Sequence, residues 1–276
     1  MNTEVTFYKM TGSGNDFVFL DGRTEPLADW PAERIRQVCD RRSGVGADGV
    51  VLLTPDEGGV RMVYFNADGS RADLCGNAAL CSTRLAAVLG MAGEGGMQLH
   101  TDSGILETRS VGPGWAAELR LPDIDAPEGL TAVARDGGER RMARVTVGVP
   151  HLVVLVDDLA SVNVSDRGRA LRRHAAFAPE GVNVNFVGKQ TEGQDSAWGM
   201  RTYERGVEGE TLACGTGTVA VAVSLAAWRL ARLPARIVSR GGNVFSVSGS
   251  SDDTSFRDLW LCGEGRLVFR GTLPGS

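Results

Sequence analysis

Around Cys75 and again around Cys214 the chain repeats one local pattern. Leu74-Cys75-Gly76-Asn77 and Ala213-Cys214-Gly215-Thr216 each lead into a run rich in alanine. A cysteine just ahead of a helix lies beside unsatisfied backbone N–H groups and the positive end of the helix dipole. Both favour thiolate over thiol, and in such places the pKa falls by one to several units from about 8.5. The glycine that follows lets a ligand approach the backbone closely, and the same N–H groups can hold a carboxylate. One thiolate could take a proton from one face of an α-carbon while an opposite thiol returns a proton to the other. That is racemisation or epimerisation; hydrolysis by a cysteine nucleophile needs only one thiol, with a histidine base and an oxyanion hole. The alternative reading is an ordinary two-domain packing in which both Cys-Gly pairs are tight turns.

Cysteines placed this way require two helices, and the pattern supplies them. Residues 77–89 and 216–232 are dominated by Ala, Val and Leu on nearly every face, the second run being the longer; a helix without a polar face is surrounded by protein. Further helices are expected at residues 31–40, with Asp29 as cap, and at 166–174. Short β-type runs bounded by Gly, Pro, Asn or Asp fill much of the remainder, among them residues 5–8, 17–20, 49–53, 60–65, 117–121, 152–156, 182–187, 199–203 and 267–269. Tyr64-Phe65-Asn66 ahead of Cys75 matches Tyr203-Glu204-Arg205 ahead of Cys214. Strand, polar loop, Cys-Gly and helix thus occur twice, about half a chain apart. The expected fold is α+β and duplicated, with a ligand site between the halves, where clefts favour binding.

Composition narrows the function classes. With 276 residues the chain is long enough for one large domain or two of about 130. Its 42% hydrophobic and 23% charged residues are ordinary for a globular protein. A net charge of -5, with no cluster of Lys and Arg, argues against nucleic acid as a partner. The stretch from Met1 to Phe7 lacks a basic segment followed by an apolar run, so no signal peptide is expected. Residues 219–227 are too short to cross a bilayer. The five cysteines are odd in number and contain no CxxC, which speaks against a disulfide framework and a zinc site and for a reducing, cytoplasmic setting. Cys39, Cys81 and Cys262 read as small core residues. Gly12-Ser13-Gly14-Asn15 falls short of a dinucleotide fingerprint, and there is no P-loop.

In order along nearly the whole chain stand Lys9-Met10-Thr11-Gly12-Ser13-Gly14-Asn15-Asp16-Phe17, Gly44-Val45-Gly46-Ala47-Asp48-Gly49, Phe65-Asn66-Ala67-Asp68-Gly69-Ser70, Cys75-Gly76-Asn77, Pro150-His151, Gly181-Val182-Asn183-Val184-Asn185-Phe186, Tyr203-Glu204-Arg205-Gly206 and Glu210-Thr211-Leu212-Ala213-Cys214-Gly215-Thr216-Gly217. This succession resembles the diaminopimelate epimerases, which act without a cofactor in lysine and peptidoglycan precursor synthesis. The resemblance implies two similar halves, each a strongly curved sheet wrapped around a central helix, with the active site in the cleft between them. The halves would be residues 1–121, joined by the C-terminal strand 264–276, and residues 122–263. It further implies conversion of LL- to meso-diaminopimelate, no pyridoxal phosphate, metal or nucleotide, and a homodimer.

Carried over position by position, Cys75 and Cys214 match the two catalytic cysteines, with His151 paired to Cys75 and Glu204 to Cys214. Gly76, Asn77, Gly215 and Thr216 match the donors to the carboxylate at the reacting carbon. Asn15, Asn66, Asn183 and Arg205, with Glu204, match the set that reads the rest of the substrate. Arg suits a carboxylate and Glu an ammonium. Departures are Val149, where many members carry Asn, Gly49, where many carry Gln, and Ala78 and Leu80, where Gly and Arg are common. Val149 and Gly49 leave room for a related cofactor-independent racemase acting on proline, hydroxyproline or histidine. From another class, a non-catalytic binding protein would have no reason to keep both cysteines at helix starts.

Overall fold

A computed structural model describes residues 4–93, 95–190, 198–252 and 254–274. The first three residues of the stretch read for a leader, and the last two of the C-terminal segment, lie outside these. The chain divides into two units, Met1–Arg120 with Cys262–Ser276, and Leu121–Leu261.

In the first unit, strands β1 (Val5–Gly12) and β2 (Asn15–Asp21) form a hairpin, and helix α1 (Ala32–Cys39) leads to β3 (Gly49–Asp56), parallel to β2. Strand β4 (Gly59–Asn66) returns antiparallel to β3, and the short β5 (Arg71–Ala72) precedes helix α2 (Gly76–Val88). Strand β6 (Met97–Thr101) then lies parallel to β4, and β7 (Gly104–Val111) and β8 (Ala116–Arg120) follow antiparallel. The second unit opens with the two-residue strands β9 (Ile124–Asp125) and β10 (Glu128–Gly129) and then repeats the plan. Strands β11 (Glu139–Val147) and β12 (Val149–Val156) pair antiparallel; helix α3 (Val164–Arg172) leads to β13 (Asn183–Lys189), parallel to β12. Next come β14 (Trp198–Glu204), β15 (Gly209–Thr211), helix α4 (Gly215–Ala227) and β16 (Ala235–Val238), the last parallel to β14. Strands β17 (Val244–Ser251), β18 (Ser255–Glu264) and β19 (Arg266–Leu273) complete the chain, β19 pairing with β1 of the first unit.

In each unit the sheet separates two cores. In the first unit one face, with Met10, Phe17, Phe19, Val51, Leu53 and Met62, encloses α2. Side chains alternate along a strand, so Val18, Leu20, Val50 and Leu52 face the other way, onto Ile35 and Val38 of α1. The second unit repeats this, with Val145, Val153, Val187 and Met200 around α4 and Leu152, Val154, Val184 and Phe186 around Val164 and Leu171 of α3. Helix α2 is buried from Asn77 to Leu85 and on to Ala86, and α4 from Gly217 to Leu225. Hydroxyls inside these helices bond back to the preceding turn: Ser82 to the Ala78 carbonyl and Thr218 to the Cys214 carbonyl, at 2.8 and 2.9 Å.

Several expectations need correction. Helix α1 has Pro31 at its N-cap, and Asp29 closes a preceding 3-10 turn instead of capping it. Helix α3 starts at Val164, capped by Asn163, whose side chain accepts from the Asp166 amide. Helix α4 is no longer than α2, at 13 residues each. It stops at Ala227 because Arg229 turns into the left-handed region, at φ 59°. Strands β6 and β17 were not foreseen; Gln98 and His100 in one, and Ser246, Ser248 and Gly249 in the other, dilute the apolar signal. The repeat also shifts by one residue. Tyr64 pairs with Ala72, three positions before Cys75, and Thr202 pairs with Thr211, three before Cys214. The counterpart of Tyr64 is therefore Thr202, not Tyr203. Tyr203 lies on the opposite face, against α3, where Gly168 leaves room for it: a Cβ there would come within 2.6 Å of the tyrosine. A slip of one residue in a strand exchanges its faces.

Candidate active site

Cys75 and Cys214 are the N-cap residues of α2 and α4, each with extended backbone, at φ -134° and -142°. The first intrahelical bonds run from the Ala79 amide to the Cys75 carbonyl and from the Thr218 amide to the Cys214 carbonyl. The N–H groups of residues 76–78 and 215–217 therefore precede the helical ladder. A Cβ on Gly76 would meet nothing within 4 Å, whereas one on Gly215 would press on Leu261 at 3.2 Å. Packing explains the second glycine and not the first.

In the first unit a chain of polar contacts leads to Asn77. Its Nδ2 donates to Asn15 Oδ1 at 2.8 Å, and Asn15 Nδ2 donates to Asp48 Oδ2 at 2.9 Å. Arg41 binds the other oxygen of Asp48 at 2.7 Å and also Asp16 at 2.7 Å. Buried Lys9 reaches Asp16 at 2.6 Å and the Gly46 carbonyl. Burial alone would raise the Asp16 pKa, but Arg41 and Lys9 bring it down to about 2. Asp48 was not foreseen as part of the site. Its place in Gly44-Val45-Gly46-Ala47-Asp48-Gly49, an acid between glycines at the start of a strand, carried the signal.

Asn66, at the end of β4, lies apart from that chain. It accepts from Tyr64 Oη at 2.9 Å and donates to Ser70 at 3.1 Å. Gly49 is its register partner. A Cβ on Gly49 would run into the Phe65 carbonyl and lie 2.6 Å from the Tyr64 ring. The glycine is thus required first by the Phe65 backbone carbonyl and then by the Tyr64 ring, whose hydroxyl reaches Asn66 at the end of β4. Gly49→Ala is expected to lower the unfolding free energy by about 1–3 kcal/mol, as overpacking does. Urea denaturation with an unchanged m-value would measure it; unchanged stability would show that both the Phe65 backbone and the Tyr64 ring yield freely. Ala78 and Leu80 are fully buried in the α2 core, so those departures concern packing.

In the second unit His151 is fully buried on β12, beside Asn183 on β13. Asn183 Oδ1 accepts the Arg205 amide at 2.7 Å, fixing the turn that follows Glu204. Val149 is half-buried two residues before His151, on the same face of β12. Burial, with the charge of Arg205, lowers the His151 pKa to about 3. Glu204 ends β14, and burial raises its pKa. Cys214 departs most from expectation. Burial, reinforced by the charge of Glu204, raises its pKa to about 11 against the opposing Gly217 amide and Thr216 hydroxyl. The helix start does not outweigh desolvation here, and Cys214 is a thiol at neutral pH.

The other cysteines are less uniform than expected. Cys39 and Cys81 are buried and burial raises both, Cys39 to about 11. Cys262 is only half-buried, because β18 leaves one side of it uncovered.

Over residues 7–115 and 143–254 the chain matches the family model described as diaminopimelate epimerase. The diaminopimelate epimerases of Gemmatimonas aurantiaca and Aquifex aeolicus are 44% and 40% identical to it, over 98% and 97% of this chain and 100% and 97% of theirs. Among solved structures, a putative phenazine biosynthesis PhzC/PhzF protein from Clostridium difficile matches with a TM-score of 0.70 over 98% of this chain and 99% of that one. At 14% identity, that likeness concerns the fold alone. No helix among the described residues is long and apolar enough to cross a membrane. With matching family segments in both units and relatives aligned end to end, the chain belongs to the diaminopimelate epimerase family.

Proposed function

We propose that this protein interconverts LL- and meso-diaminopimelate by two-base proton transfer between Cys75, Cys214 and one α-carbon. The observation that carries this reading is the pair of N-cap cysteines in matching strand, Cys-Gly, helix settings, in a chain of this family. In one direction a thiolate takes the α-proton and becomes a thiol, leaving a carbanion stabilised by its carboxylate. The opposite thiol gives its proton to the other face and becomes a thiolate. Inverted substrate leaves, and the two sulfurs have exchanged protonation states.

The free amides ahead of the two helical ladders, from Gly76 and Asn77 and from Gly215 and Thr216, suit that carboxylate as its charge grows. Cys214 is the sulfur that enters as thiol. His151 and Glu204 are the partners of Cys75 and Cys214, and Asn15, Asn66, Asn183 and Arg205 read the distal amino-acid end. A role in lysine and peptidoglycan precursor supply, a cytoplasmic setting and a homodimer belong to the same reading.

Purified protein assayed with LL-diaminopimelate, proline, hydroxyproline and histidine tests it. The expected result is turnover of diaminopimelate only, with solvent deuterium entering the α-carbon. Inversion of proline, hydroxyproline or histidine without diaminopimelate turnover would overturn it in favour of a related racemase.

A further inference from the structure

Beside His151 lies a buried row that the family roles do not use. Asn185 Nδ2 is 3.0 Å from His151 Nδ1 and 3.4 Å from the Leu152 carbonyl, and its Oδ1 accepts from Thr202 Oγ1 at 2.9 Å. All three side chains are almost wholly buried. The amide orientation follows from its partners. A carbonyl only accepts, so the nitrogen must face Leu152, and the same nitrogen then meets the histidine. His151 Nδ1 is consequently an acceptor, and the proton of the neutral ring sits on Nε2. That Nε2 has no hydrogen-bond partner among the described residues.

The fold does not require this polar row. His151 pairs with Asn183, and Asn185, two residues on, stands opposite Thr202. In the first unit Phe17 pairs with Gly49, and Val51, two residues on, stands opposite Tyr64. The corresponding row there is Phe17, Val51 and Tyr64, with the two rings edge to face at 6.0 Å. The same three positions of the same sheet plan thus accept a largely apolar filling. Asn185 also abuts the start of α4: a Cβ on Gly217 would overlap its Oδ1 and lie 3.1 Å from Cys214 Sγ.

We infer that Asn185 is a positioning residue that holds His151 as the neutral tautomer carrying its proton on Nε2, tied by Thr202 and packed against the helix start of Cys214. In that state His151 is a hydrogen-bond donor at Nε2 and cannot accept a proton there. An imidazolium would set Nδ1–H against the Asn185 N–H group, donor against donor. Arg205 is the charged group that acts on the ring, and it acts in the same direction. A donor of this kind stabilises a thiolate. On the epimerase reading, on which this consequence rests, that thiolate is Cys75, complementing the thiol at Cys214.

The chain has three histidines, so long-range proton–nitrogen correlation spectra of histidine-labelled protein are simple to read. His151→Gln identifies the His151 signals by their loss. The expected spectrum shows His151 protonated at Nε2, bare at Nδ1 and not titrating across about pH 5 to 8, the range where an ordinary histidine changes charge. Asn185→Asp, which replaces the donor by an acceptor, is expected to move the proton to Nδ1 or charge the ring. It should also lower kcat about 10²-fold, as a wrong tautomer does, and alter the pH profile. Thr202→Val, which removes a partner of the amide oxygen but leaves the Leu152 carbonyl to select the nitrogen, is expected to keep the Nε2 tautomer in a folded protein. A wild-type His151 protonated at Nδ1, or titrating near its ordinary value, would overturn the inference, as would an unchanged tautomer in Asn185→Asp. Absence of diaminopimelate turnover with the expected wild-type spectrum would fall on the proposed function and leave the tautomer assignment standing.

Discussion

Replacing either Cys75 or Cys214 with alanine is expected to reduce stereochemical turnover at the α-carbon by about 10³-fold or more, in both reaction directions. General acid–base groups contribute about 10²–10⁴ each, and inversion needs one on each face of the carbon. The two variants should nevertheless differ in what survives. With Cys214 gone, the thiolate-forming side can still remove the proton from one stereoisomer and return it to the same face. That variant should exchange solvent deuterium into one stereoisomer of the substrate without inverting it. With Cys75 gone, the retained sulfur is the buried thiol, whose pKa of about 11 leaves little thiolate at neutral pH, and exchange should fall as far as inversion does. Mass spectrometry of recovered substrate, combined with chiral separation, distinguishes these outcomes. Full activity in either variant would sink the two-base mechanism, because a single nucleophilic cysteine needs no counterpart.

Glu204→Gln is the second large effect. Cys214 is buried and Glu204 half-buried, and the carboxylate is the charged group that helps hold the thiol protonated. Removing that charge should lower the Cys214 pKa, because a neighbouring negative charge disfavours a second one. The direction is opposite to that of a variant that merely buries the thiol further. Turnover should still fall about 10²-fold, since Cys214 then loses the carboxylate that exchanges its proton. Thiolate ultraviolet absorbance during alkaline titration, taken as the difference from Cys214→Ala, reads the ionisation. Steady-state kinetics in both directions reads the loss. Unchanged kinetics would remove Glu204 from the reaction, and an unchanged titration would show that the carboxylate is not felt at the sulfur.

Much of the candidate site is legible in the sequence. Asn183 and Asn185 alternate along one strand, so if the first faces the α4 side the second must as well. The alternation of Gly181-Val182-Asn183-Val184-Asn185 therefore holds the signal for Asn185 as well as for Asn183. What alternation could not say is which side chain Asn185 meets. His151 lies 34 residues away in the chain and becomes its neighbour through the parallel pairing of β12 and β13. Asp48 is similar: its sequence position marked a turn, and only the pairing of β2 and β3 puts it against Asn15.

Local sequence by itself determined the features set by short-range physics. Two largely apolar helices follow from composition over a few turns, the N-cap positions of Cys75 and Cys214 follow from Cys-Gly before each run, and the duplication follows from their recurrence. The ionisation of those cysteines was another matter. A helix start favours a thiolate through the first turn of the helix alone, whereas desolvation depends on everything packed around the sulfur. At Cys214 the strands that close over α4 and the carboxylate of Glu204 outweigh the helix. Tertiary structure alone decided that this sulfur is a thiol, that His151 is neutral, and that Tyr64 rather than a longer residue at position 49 fills the end of β4, because each depends on contacts between segments far apart in the chain.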